Sequence, residues 1–395
     1  MKFNELLEKL GIDSYPEGLD EIYEALTEDD GGLYDLDYLK AMQEMYGLFG
    51  EYYDAVVKGA VDIKSRPELI AYGRAVVEFN KTATSYESRL VKLPKNDGTP
   101  ALDMLPVLIL ALEVPDMIKR YEARGFNEAQ ILKNLECIKI NLWVLLLREG
   151  RPYLDQGHYK WICHYTKAMI FDHKAFNFQP AVWGNAAIYL RNKKSGECLP
   201  MMTQGRFARN GLPLGAVGAT DEEGAFDAEF TEIPQLFIGH LVRDGRVEVR
   251  LSRLSRSEWE CVLRPGDDVI SLHIPENTNL SPDYVIESIR EGFELSKKFY
   301  PELNPRFVVC YSWLLEPKLV ELCGEKSRIA FFTTRFTKYP MKDTSGTGCL
   351  GYVFPGYQSG PVESFPENTT LQRGIKKLML EGDYIRGTAG VIVEL

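Results

Sequence analysis

The chain has 395 residues, more than one typical domain needs, and 45% of them are hydrophobic, so two cored domains are expected. Acidic residues outnumber basic ones, 57 to 46, for a formal net charge of -11. That balance argues against a general binder of nucleic acid or of an anionic membrane, because neutralising phosphates takes Lys and Arg. A local basic pocket for a phosphorylated cofactor stays allowed.

The 7 cysteines (Cys137, Cys163, Cys198, Cys261, Cys310, Cys323 and Cys349) are scattered and form no CxxC. Neither a zinc knuckle nor a disulfide ladder is indicated, and no metal is expected. The opening MKFNELLEKLG is amphipathic and lacks the apolar core of a signal peptide. The longest apolar run, Met104 to Val114, is interrupted by Glu113 and falls far short of the ~20 residues that span a bilayer. A cytoplasmic, reducing setting is the expectation.

The first 150 residues are helical in pattern. Between Asp37 and Val57 the apolar residues recur at three-and-four spacing, the mark of one buried helical face. Further helices are predicted near Arg66–Phe79 and Leu102–Ala123. Gly125 then supplies a stop, and Asn127 opens a helix to about Arg148. After Arg151-Pro152 the segments become short and β-branched or aromatic, at Ala168–Phe178, Ala187–Arg191 and Leu236–Leu251, with a hairpin signal at Asp244-Gly245. Met202–Phe230 is Gly-rich and aperiodic, a long surface loop or an insertion that covers a site. The division predicted is 1–150, helical, and 151–395, mixed.

The segment Asp267–Pro317 reads as strand, helix and strand. Ser281-Pro282 starts the helix, which runs to about Tyr300, and Arg306–Leu314 is the second strand. A short helix at Pro317–Cys323, a strand over Arg328–Thr337 and a last helix capped by Thr369 or Thr370 follow. Polar residues closing an apolar strand sit at a sheet rim, where open α/β folds bind ligands. Here they are His273 and Glu276 on the first strand and Cys310, Tyr311 and Ser312 on the second. Pro275 cannot donate to a ladder and ends the strand or makes it bulge. Amides freed there can face a carbonyl, and Glu276 can take a proton from an amine. The plainer alternative is a buried His and a solvated Glu. Cys310 is either a core thiol or, with His273, a nucleophile pair for a hydrolase or thiol transferase. Gln372, Arg373, Lys376 and Lys377 near a capped helix start suit phosphate or form a solvated basic face.

These landmarks together resemble a family of two-domain bacterial proteins described as acyltransferases. They are Arg124-Gly125-Phe126, Trp259–Leu263 with Pro265-Gly266-Asp267, His273-Ile274-Pro275-Glu276, Cys310–Pro317 and Leu371-Gln372-Arg373, in family order. The resemblance implies an α+β protein, an all-helical N-terminal domain followed by a GNAT-like mixed α/β domain. It implies acyl transfer from acyl-CoA, acetyl-CoA included, to an amine of a small molecule or peptide. Glu276 or His273 would be the base, and Tyr311, Ser312 or Cys310 the proton donor. The backbone at Ile274, with Trp313, Gln372 and Arg373, would hold the cofactor. A GNAT-like protein that binds a small molecule without catalysis is the alternative. The sequence departs from the wider superfamily at Asn277–Pro282, where a glycine-rich pyrophosphate turn is replaced by a turn without glycine. Smaller departures are Lys174 for Arg, Glu316 for Asp and Gly374 for Ala.

Overall fold

The structure, a computed structural model, describes residues 1–27, 32–220 and 222–393. The chain forms two compact units, Met1–Asp172 and His173–Leu395. The division falls later than the change of texture at Arg151-Pro152, because one more helix follows those residues before the first strand.

The first unit is helical: α1 (Phe3–Leu10), α2 (Leu19–Ala25), α3 (Leu36–Tyr46), α4 (Tyr53–Ile63), α5 (Pro67–Thr82), α6 (Ser85–Leu90), α7 (Pro100–Ala123), α8 (Glu128–Leu135), α9 (Cys137–Glu149) and α10 (Gln156–Thr166). The face read across Asp37–Val57 is broken into α3 and α4, where Gly47 and Gly50 take left-handed backbone. The single helix expected from Asn127 is likewise two, with a turn at Glu136. Asn127 does cap it, accepting from Gln130 N at 3.0 Å while Gln130 reaches back to the Asn127 amide. Gly59 lets α4 press against α7, since a Cβ there would stand 2.4 Å from Met104 Cβ. Glu113, the polar break in the apolar run, is buried. Its carboxylate accepts from Asn80 Nδ2 at 2.7 Å and lies 3.7 Å from Lys167 Nζ. Burial pushes the Glu113 carboxyl up and the Lys167 amine down, each opposed by the other's charge.

The strands begin at the division itself with β1 (Phe171–His173) and continue through the second unit. They are β2 (Phe176–Val182), β3 (Ala187–Asn192), β4 (Cys198–Met202), β5 (Arg206–Phe207), β6 (Phe226–Asp227), β7 (Phe230–Glu232), β8 (Leu236–Arg243), β9 (Arg246–Ser255), β10 (Trp259–Leu263), β11 (Asp268–His273), β12 (Val308–Ser312), β13 (Thr337–Pro340) and β14 (Thr388–Ile392). The helices of this unit are α11 (Pro282–Phe299), α12 (Lys318–Cys323), α13 (Arg328–Thr334), α14 (Leu350–Val353) and α15 (Thr370–Leu380). One six-stranded sheet runs β1-β2-β11-β12-β14-β13, with β11 and β12 parallel. A second runs β10-β3-β4-β8-β7, with β9 on β8. Trp183, Tyr189, Val247 and Leu263 meet Val269, Val309, Tyr339 and Val391 in a core shared by both sheets.

α11 covers the opposite face of the first sheet. Gly292 is the reason it can lie so close, for a Cβ there would meet the ring of buried Phe178 at 2.1 Å. The strand predicted over Arg328–Thr337 is instead α13 followed by β13. Ser327 caps that helix, accepting from Ala330 N at 3.0 Å, and Phe332 packs at 5.7 Å from Phe176. A short apolar run carries no period that separates strand from helix. The Gly-rich stretch 202–230 is pinned by its backbone: Val217 N donates to Asp343 O and Val217 O accepts from Arg386 Nε.

Candidate active site

β11 and β12 pair in register from Ile270↔Val308 to Leu272↔Cys310. Beyond that pair each strand continues, held by its outer neighbour: His273 by Asn177 of β2, Tyr311 and Ser312 by Ala389 and Thr388 of β14. The pairing between the two parallel strands therefore stops there, and Ile274 follows just past the ladder. Backbone groups that leave a ladder need another partner.

The pleat decides which side chains meet. Leu272 and Cys310, registered together, share one face with Phe178 beneath α11, while His273 and Tyr311 stand on the face toward the second sheet. Cys310 and His273 thus lie on opposite faces and make no nucleophile pair. Cys310 is 1% exposed, and burial pushes its thiol up to about 12, so it keeps its proton at neutral pH. Its place is the core.

His273 shares Nε2 with Gln179 Oε1 at 2.9 Å. Desolvation lowers it to about 4, which leaves a neutral imidazole at pH 7 and a weak base. Glu276 lies part-buried in the turn after β11. There Thr278 donates to Pro275 O at 2.6 Å, and Asn277 takes φ 57°, the left-handed backbone that glycine usually supplies. Asn is one of the few residues other than glycine that tolerate this region. Ser281 precedes α11 but its side chain caps no amide. Pro282 opens this 18-residue helix, and Asp283 lies in its first turn at the positive end of the dipole.

Tyr311 is 40% exposed, and Asn185 Nδ2, from the turn between β2 and β3, donates to its hydroxyl at 2.5 Å. Ser312 accepts from Leu314 N at 3.1 Å, so it caps the short 3-10 turn that carries Trp313. Trp313 lies tilted against Tyr352, ring centres 6.2 Å apart.

Gln372 and Arg373 are placed elsewhere, at the start of α15. Gln372 closes a capping box with Thr369 and donates to Val353 O at 2.9 Å. Arg373 donates to Glu367 O at 2.9 Å and Lys376 pairs with Glu367, so this end of the helix is occupied by the chain's own groups. Lys174 spans Glu287 and Glu291 of α11 at 2.9 Å each, an ion-pair role that either cation fills. Among the described residues no cluster of three His, Cys, Asp or Glu side chains stands ready for a metal. Sequence reading missed Gln179, Asn185 and Tyr339, which no motif marks.

Residues 231–392 match the model of the GNAT-like C-terminal domain family. A search of curated proteins finds no match. In fold the chain is similar to the crystal structure of an acyltransferase in complex with decanoyl-CoA, with TM-score 0.66, 15% identity and 100% of each chain covered. It is similar also to an acyltransferase in complex with decanoyl-CoA and teicoplanin, with TM-score 0.64, 15% identity and 99% of each chain covered. At that identity the likeness is one of fold. The chain is a helical N-terminal domain followed by a GNAT-like C-terminal domain.

Proposed function

We propose that this protein transfers an acyl group from a coenzyme A thioester to an amine of a small molecule or peptide. The observation that carries the reading is the end of the β11–β12 pairing at Leu272 and Cys310, just before both strands end. It leaves strand-edge amides beside Ile274 for the amide-bearing arm of the thioester and for its carbonyl oxygen. The uncapped amides at the start of α11, next to the left-handed Asn277, suit the pyrophosphate, with Asp283 as the opposing charge.

In this scheme the amine nitrogen attacks the thioester carbonyl carbon; the C–N bond forms and the C–S bond breaks. Glu276 accepts the proton that the amine loses, and Tyr311 gives its phenolic proton to the departing thiolate. Solvent then restores both. His273, neutral and a weak base, orients Gln179 and the rim rather than taking the proton. Ser312, committed as a cap, is the poorer proton donor. The similar acyltransferases were crystallised with decanoyl-CoA and octanoyl-CoA, so medium-chain thioesters join acetyl-CoA as the donors to test.

Calorimetry with acetyl-, octanoyl- and decanoyl-CoA should show saturable binding to at least one. Glu276→Gln should retain that binding while turnover of a screened amine falls ~10²–10⁴-fold, the usual contribution of a positioned base. Absence of binding to every thioester, with stabilisation by other metabolites, would leave a small-molecule binding protein instead.

A further inference from the structure

Tyr311, Ala389 and Tyr339 stand in one row across the first sheet. Ala389 of β14 is registered with Tyr311 on one side and Tyr339 on the other, so all three point to the same face. The small side chain between them lets the two tyrosines lean together. Tyr339 is 4% exposed, and its ring is fixed edge-on to Trp183 at 5.5 Å. Trp183 is itself held by its indole N–H on Ala187 O at 2.7 Å. Yet the Tyr339 hydroxyl is buried without a hydrogen-bond partner. A buried hydroxyl left so is unfavourable, and each such group in a folded chain calls for an explanation.

What it stands beside is the one oxygen in this row that the proposed chemistry charges. Asn185 Nδ2 already donates to Tyr311 Oη, which leaves the Tyr311 proton outside that bond and available. When Tyr311 gives up its proton, the oxygen gains acceptor capacity that one donor does not fill. We infer that Asn185 and Tyr339 are positioning residues that form a two-donor cradle for the Tyr311 oxygen: Asn185 orients it at rest, and the unpartnered Tyr339 hydroxyl takes up the charge as the proton leaves. The ionisable groups beside Tyr311 are Tyr339, Tyr189 and Cys310, all neutral at pH 7, so the cradle rather than a nearby cation stabilises the phenolate. Desolvation raises Tyr311, and that rise is opposed by the Asn185 bond and by the nearby Tyr339 hydroxyl.

The inference rests on the acyl-transfer reading only for where the proton goes. The test is a ¹³Cζ-tyrosine NMR titration of the full chain, with the Tyr311 signal assigned from Tyr311→Phe. Asn185→Leu and Tyr339→Phe should each move the Tyr311 midpoint up by about one unit, a tenfold weaker acid. Tyr339→Phe removes only an oxygen without a partner, so that variant folds as the parent does. A merely structural role predicts no movement of the Tyr311 midpoint in either variant, and that result overturns the cradle. In an active preparation the alkaline limb of kcat should move with the NMR midpoint. Should no thioester bind while both midpoints rise, acyl transfer fails and the cradle stands. Should a thioester bind while the midpoints stay put, acyl transfer stands and the cradle fails.

Discussion

Acidification should expose the enclosure of His273. In an unfolded chain its imidazole takes up a proton near 6.5; in the folded one desolvation lowers that to about 4. Between these values the unfolded chain binds more protons, so stability rises with pH through the window. It is fully present above about 6.5 and lost as pH falls toward 4. The gap of ~2.5 units, at about 1.36 kcal/mol each, amounts to roughly 3 kcal/mol, an upper figure because His273 is only part-buried as a residue. The chain has 5 histidines, few enough to resolve by their Cε1 resonances. The His273 signal, assigned from His273→Gln, should titrate near 4. Urea unfolding followed at about pH 7, 6, 5 and 4 should show the parent losing up to roughly 3 kcal/mol more than His273→Gln over that range. A His273 midpoint at about 6 or above, or parallel stability profiles, would refute the shielding of this rim from water.

The remaining two expectations concern the sheet on which that rim is built. Cys310, with its thiol pushed up to about 12, should resist iodoacetamide at about pH 8 in the folded chain and react once the chain is denatured. Prompt alkylation with the fold intact would contradict its place under α11. Gly292→Ala should destabilise the second unit by ~1–3 kcal/mol through overpacking on Phe178, although alanine favours a helix by up to ~1 kcal/mol. A variant as stable as the parent in urea would mean that α11 does not lie so close to β2.

The candidate site was legible in part. The place of His273, Glu276, Tyr311 and Ser312 at or just past two strand ends was legible because polar residues that end apolar strands are visible without knowing the neighbours. The strand-helix-strand read over Asp267–Pro317 appears as β11, α11 and β12. What local reading could not see was the pairing. β14 is Thr388-Ala389-Gly390-Val391-Ile392, weak in strand formers at Ala and Gly, and it is a strand because β12 and β13 bond it from both sides. Arg328–Thr334 is a helix because Ser327 caps it and Phe332 has an aromatic partner, facts that the apolar run alone does not contain.

Composition, caps and periodicity by themselves determined a helical first part, a mixed second part and a polar rim at the ends of two strands, because each depends on spacing within a few residues. Only the tertiary structure decided the rest. The register Leu272↔Cys310 sent the thiol to one face and His273 to the other, which removed a nucleophile pair that the sequence allowed. The turn without glycine has Asn277 in the left-handed region, a backbone state that the sequence did not announce. Asn185, Tyr311 and Tyr339, far apart in the chain, were brought together by strand order, because a sheet chooses neighbours by hydrogen-bonded register and not by distance along the sequence.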